Sequence, residues 1–195
     1  MSAADPNAPL DRAALLALGV ASCGDHVAVD PTVRIIHPER IHIGSHVRVD
    51  AFSVLSAGAG GIHIGDYVHV AAYVFLAGAG RIDVGDHVGL SGRVSVYSSN
   101  DDYSGAALSN PTAPLDLRNV TTADVRFGRH VLVGAGSVVL PGVTVGEGAS
   151  VGALSLVRED VEPFTMVAGI PVRVLGARGR GMLDREQELL ARLQA

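Results

Sequence analysis

Residues 131–157 read VLVGAGSVVLPGVTVGEGASVGALSLV, and within them Val133, Val139, Val145, Val151 and Val157 fall at every sixth position. Phe127, just upstream, keeps the same register. A step of six is neither the 3.6-residue helical period nor the alternation of a plain strand. It suits short strands joined by tight corners, each returning one inward side chain per hexad, so that three hexads close one coil.

Working outward, the spacing recurs upstream in threes: Ile43, Val49, Leu55; Ile64, Val70, Leu76; Val84, Leu90, Val96. Four positions after most of these ladder residues stands another small or β-branched residue, such as Val47, Ser53, Val68, Val131, Ser137 or Ser155, as close corner packing requires. His46, Tyr67, His87 and His130 each follow the first ladder position of a coil by three, which predicts one stacked column of rings along a corner. Breaks in the period locate excursions: SAGAGG (56–61) and AGAGR (77–81) leave at the same corner of successive coils, and the step from Val96 to Phe127 is 31 positions. A loop of that length in a compact domain is usually functional or disordered.

These patterns divide the chain into an N-terminal helical cap (1–26), a β-helix (27–178) with an ejected loop (97–124), and a C-terminal helical segment (179–195). The cap carries a short helix over Asp11–Leu18 stopped by Gly19. The coil over Val27–Ile41 reads as irregular, and Met182–Leu193 reads as an amphipathic helix. Solenoid ends need caps of this kind.

Composition agrees with one all-β domain of 195 residues. Hydrophobic residues make up 48%, yet aromatics only 4%, with 24 Gly and no Trp, so small aliphatics and close backbone contacts must build the core. Fifteen basic residues, all arginine, against 20 acidic ones give a net charge of -5, which leaves no basic footprint for nucleic acid. A single cysteine, Cys23, forms neither an intrachain disulfide nor a cysteine zinc cluster, and reads as a buried thiol outside the regular coils. The start MSAADPNAPLDR has no basic and apolar leader pattern, and the apolar run Val131–Val145 is broken by Gly134, Gly136, Pro141 and Gly142. A cytoplasmic protein with no membrane span is expected.

Taken together, residues 131–157 followed by MVAGIPVRVLGAR (166–178) resemble the hexapeptide-repeat acyltransferases, with Val172 where that family usually has alanine. The loop SSNDDYSGAALSNPTAP (98–114) is similar to that of sugar O-acetyltransferase members acting on galactosides, maltose, surface polysaccharides or sugar nucleotides. The resemblance implies a left-handed parallel β-helix assembled as a homotrimer, with sites in the clefts between chains. It implies acetyl-CoA as donor, no metal, a sugar or sugar-nucleotide acceptor, and direct attack in a ternary complex, with O-acetylation ahead of N-acetylation. It also assigns the pantetheine arm to Gly134, Ala135, Ala153 and Leu154, and the phosphates to Arg158, Arg173, Arg178 or Arg180. Arginine suits that role through its forked donors, although a solvated basic tail is the plainer reading.

Acyl transfer from a thioester needs a placed acceptor, a proton acceptor and donors for the developing oxyanion. Many family members carry a base histidine near the start of the long loop, where this chain has Asn100, Asp101 and Asp102. Either carboxylate can act as base or orient the acceptor, while the same stretch also reads as a turn with solvated acids. His69, His87 and His130 are the imidazole alternatives, against an ordinary corner role. Two other classes stay open. His37 and His42 echo part of a γ-class carbonic anhydrase zinc site, and a scaffold without catalysis is compatible with the missing loop histidine.

Overall fold

The computed structural model describes residues 8–193. Its body is a parallel β-helix of about seven coils whose strands stack into three sheets, of six, eight and six strands. The hexad ladder is the register of those sheets. In the first, Cys23, Ile43, Ile64, Val84, Phe127 and Val145 lie side by side. The second aligns Val29, Val49, Val70, Leu90, Val133, Val151 and Val167, and the third Ile35, Leu55, Leu76, Val96, Val139 and Val157. All are buried except the half-covered Ile35, and together they fill the axis of the coil with stacked aliphatics. Each such side chain contributes about 1.5–3 kcal/mol of burial.

The first coil departs from the expectation. Strands Ala28–Val29 and Arg34–Ile36 pair in register with the coil above, so two sides of this turn are regular, while a 3-10 turn at Pro38–Arg40 interrupts it as the irregular reading expected; the coil begins at Ser22–Cys23, inside the segment read as cap. Cys23 therefore occupies a ladder position rather than lying outside the coils, and burial raises its thiol pKa. A free buried thiol fills an aliphatic slot well, which hides the period at that point.

Helix α1 (Arg12–Ala17) covers the open end, capped by the Asp11 carboxylate on the Ala14 amide and packing Leu15 into the core. At the other end Arg173–Ala177 turns back antiparallel on Thr165–Ala168, which closes the exposed sheet edge where the parallel coil was expected to continue. Helix α2 (Gly181–Leu193) then returns across the coil corners. Among the described residues no helix is long and apolar enough to cross a membrane.

Candidate active site

Three corner columns of the coil carry the residues singled out by sequence. At the first, His46, Tyr67, His87 and His130 form the predicted ring stack, which His26 extends by one coil, with centroids 4.4–5.0 Å apart. His46, Tyr67, His87 and His130 adopt left-handed backbone at φ 56–61°, a conformation that costs an L-residue about 1–2 kcal/mol. Glu186 of α2 reaches into this column. Its carboxylate lies 3.0 Å from His130 Nε2 and 3.2 Å from His87 Nε2, and it also accepts from Arg129. Burial alone would raise the Glu186 pKa, but the bonds from His130 and Arg129 outweigh it and hold the carboxyl below its ordinary value. Arg178 donates to the carbonyls of His130, Gly148 and Ala149, and Arg180 lies over the Phe164 ring. The structure thus joins His87, His130, Arg178 and Arg180 in one clamp that fastens the C-terminal segment.

A second column carries small residues. Gly92, Gly136, Ala135 and Leu154 are linked across coils, the Gly136 amide donating to the Gly92 carbonyl (3.0 Å) and the Leu154 amide to that of Ala135 (2.8 Å). A Cβ on Gly134 would collide with the Ala153 backbone, so glycine is what lets these coils approach. Leu154 projects outward, 70% exposed. This places Gly134, Ala135, Ala153 and Leu154 together as a narrow track at one corner, with Gly134 half-buried and the other three exposed. Arg173 stands exposed on the closing strand beside Ala168, and Arg158 is exposed next to Glu159.

At the third corner the two glycine-rich excursions stack, Gly58 N donating to Gly78 O (3.1 Å) and Gly60 N to Ala79 O (2.9 Å). A side chain at Gly58, Gly60 or Gly78 would strike the next coil's backbone or Ser98. On this platform sits the neck of the ejected loop. Buried Ser98 donates its hydroxyl to Gly80 O (2.7 Å), the Ser99 hydroxyl accepts from Ala79 N, and Ser99–Asn100 pairs antiparallel with Thr121–Thr122. The excursion therefore begins past Ser98, since Tyr97 still pairs in the third sheet.

Just beyond the neck the two acids differ. Asp102 accepts from the Ser104 hydroxyl and from the Ser104 and Ala107 amides, and these bonds hold its carboxyl below the usual range. Asp101 is exposed and is bonded to none of the described residues. One carboxylate thus builds the turn and the other is available to a ligand.

His37 and His42 do not converge. The first pairs with Glu39, and the second contacts Ser22 and stacks on His63. Among the described residues no three His, Cys, Asp or Glu side chains are grouped to hold a metal ion.

A parallel β-helix with an ejected loop, a glycine-built neck and a small-residue track defines a hexapeptide-repeat transferase. Comparison with known proteins agrees. The family model for bacterial transferase hexapeptide (six repeats) matches residues 124–159. The chain is 43% identical over 177 residues to dTDP-4-amino-4,6-dideoxy-D-glucose acyltransferase of Escherichia coli, covering 91% of this chain and 92% of that one. It is 31% identical to a putative lipopolysaccharide biosynthesis O-acetyl transferase of Escherichia coli K12, over 70% of this chain and 68% of the other. Among solved structures, AntD, an N-acyltransferase from Bacillus cereus in complex with dTDP and 3-hydroxybutyryl-CoA, superposes with a TM-score of 0.92 at 38% identity, covering 97% of this chain and all of that one. Further structures of that enzyme carry substitutions at one serine and at one aspartate ten positions later. The chain belongs to the hexapeptide-repeat acyltransferases, and it is an acyltransferase.

Proposed function

We propose that the protein transfers an acyl group from a CoA thioester to the 4-amino group of a dTDP-linked 4-amino-4,6-dideoxy sugar. Near-full-length similarity to an enzyme named for that acceptor carries the reading, and it moves the expected acceptor atom from oxygen to nitrogen. The spacing of the serine and aspartate varied in AntD supports it further. Three Ser–Asp pairs here are ten residues apart, Ser56–Asp66, Ser91–Asp101 and Ser150–Asp160, and only Ser91–Asp101 reaches the loop neck. Ser91 was not among the residues expected from sequence. It is the one hydroxyl among the residues that directly follow the second-sheet ladder, Asp30, Asp50, Ala71, Ser91, Gly134, Gly152 and Ala168.

In this reading the sugar amine attacks the thioester carbonyl in a ternary complex, a C–N bond forms, the C–S bond breaks, and CoA leaves as its thiol. Asp101 draws in the ammonium form and accepts its proton. The corner track at Gly134, Ala135, Ala153 and Leu154 holds the pantetheine arm, with Ser91 at its thioester end and Arg173 and Arg158 toward the phosphates. His87, His130, Arg178 and Arg180 fasten α2 rather than touch the reacting atoms. The active unit is a cytoplasmic homotrimer with clefts between chains.

The test supplies dTDP-4-amino-4,6-dideoxyglucose with acetyl-CoA or 3-hydroxybutyryl-CoA and follows thiol release and product mass. Acylated amine with stoichiometric thiol is expected. Absence of turnover with this acceptor, while hydroxyl sugars are acylated, would return the reading to O-transfer.

A further inference from the structure

The outward row of the second sheet runs Ala28, Arg48, His69, Gly89, Leu132, Ser150 and Met166 in direct register. Gly89 alone in this row has no side chain. The strand Gly89–Leu90 does not need it: the backbone there is ordinary extended chain with φ outside the left-handed region, and a Cβ would meet only the Leu132 Cδ1 methyl, at 3.1 Å. Glycine weakens a strand and often marks a point where something else must come close. What it leaves is a dent of about 190 Å³ bounded by His69, Ala71, Gly89, Ser91, Gly92 and Leu132.

Whole ligands occupy about 300–1,000 Å³, so this space fits a group of a few heavy atoms. It opens beside Ser91, at the end of the small-residue track, and Leu132 and Ala71 give it apolar walls. On the opposite rim His69 is held by Asp50 (2.8 Å), whose own pKa burial would raise but the bonds from His69 and Arg48 lower. We propose that the dent over Gly89 receives the acyl group of the donor and sets its chain length, admitting groups of two to four carbons. The proposal rests on the reading that CoA lies along the second corner with its thioester at Ser91.

The experiment measures calorimetric Kd values of desulfo-CoA, acetyl-CoA, butyryl-CoA and hexanoyl-CoA for the full chain and for Gly89→Val and Leu132→Ala. Each buried methylene is worth about fourfold in affinity. The unsubstituted protein should therefore prefer butyryl-CoA to acetyl-CoA, two methylenes shorter, by about sixteenfold. Gly89→Val, which fills the dent, should bring the ratio close to one. Leu132→Ala, which widens it, should extend the preference to hexanoyl-CoA, and it tests the idea even where Gly89→Val fails to fold. Binding of desulfo-CoA with a chain-length ratio that neither substitution moves overturns the pocket alone. No binding of any CoA species overturns the pocket and the donor reading together.

Discussion

Replacing Glu186 by glutamine should detach helix α2 while leaving the β-helix folded. The helix is 13 residues long and buries no apolar side chain fully, and isolated helices shorter than about 12–15 residues are marginal in water. Its anchoring therefore depends on the Glu186 carboxylate, which is 9% exposed among His87, His130 and Arg129. Hydrogen bonds to a charged group contribute about 1.5–3 kcal/mol against about 0.5–1.5 for neutral ones. Arg129 is half exposed, so its share is discounted. The amide retains shape and loses charge, for a net cost of about 2–3 kcal/mol, or about 30- to 150-fold in the local opening equilibrium.

Amide hydrogen exchange reads this directly. Protection over residues 183–193 should fall by that factor while the amides of the central strands stay as they were. The pH dependence has a definite sign. Because the folded Glu186 pKa lies below its ordinary value near 4.5, the stabilisation is complete above that value and disappears as pH falls through the lowered folded one. The parent protein should therefore lose helix protection on acidification, and Glu186→Gln should start from the released state with a flatter profile. Unchanged exchange over α2 in Glu186→Gln at pH 7 would refute the clamp. A matching loss across the central strands would show instead that the helix and the coil unfold as one unit.

Gly58→Ala should lower the melting temperature sharply in a thermal scan, because its Cβ would strike the Gly78 carbonyl and the Ala79 Cα, all backbone, and no flexible side chain yields; a wild-type melt would refute the close stacking of the excursions. Arg178→Ala removes three carbonyl contacts and should cost about 2–3 kcal/mol in urea denaturation, whereas Arg173→Ala should leave stability alone and raise the acetyl-CoA Kd several-fold. The reverse pattern would give Arg178 the phosphate role instead. Asp101→Asn should reduce turnover by about 10²- to 10⁴-fold with the donor Kd little changed; Asp102→Asn, a lost turn acceptor, should chiefly raise the acceptor KM. Equal kcat losses in both would remove the distinction between the two acids.

Most of the coil was legible because inward positions repeat: one apolar residue per hexad leaves a periodic trace that no tertiary contact can disguise. The ring column was legible for the same reason, being a fixed offset from that ladder. The trace failed at Cys23, where a thiol replaces an aliphatic, and at Arg173–Ala177, where the chain reverses to close an edge and so abandons the period. Glu186 left no local signal. Its partners lie 56 and 57 positions away at His130 and Arg129, and nothing in a helix's own spacing reveals which of its acids will be buried by a distant corner.

The candidate site follows a different logic. Inward residues are fixed by stacking, so a coil can alter an outward or corner residue without altering its fold, and chemistry accumulates there without periodicity. Ser91 and Gly89 are each an exception to a column, a hydroxyl among acids and small residues and a gap in a row of side chains, while Asp101, in the ejected loop, is a carboxylate that its own turn does not use. The gap at Gly89 emerges only after the strands are aligned in space, whereas Asp101 was already a candidate in the sequence. The stacked histidines, by contrast, are conspicuous in sequence because they repeat, and two of them, His87 and His130, hold the Glu186 carboxylate. For a solenoid of this kind, the residue that breaks a column is therefore the better candidate for function than the residue type most often found in catalysis.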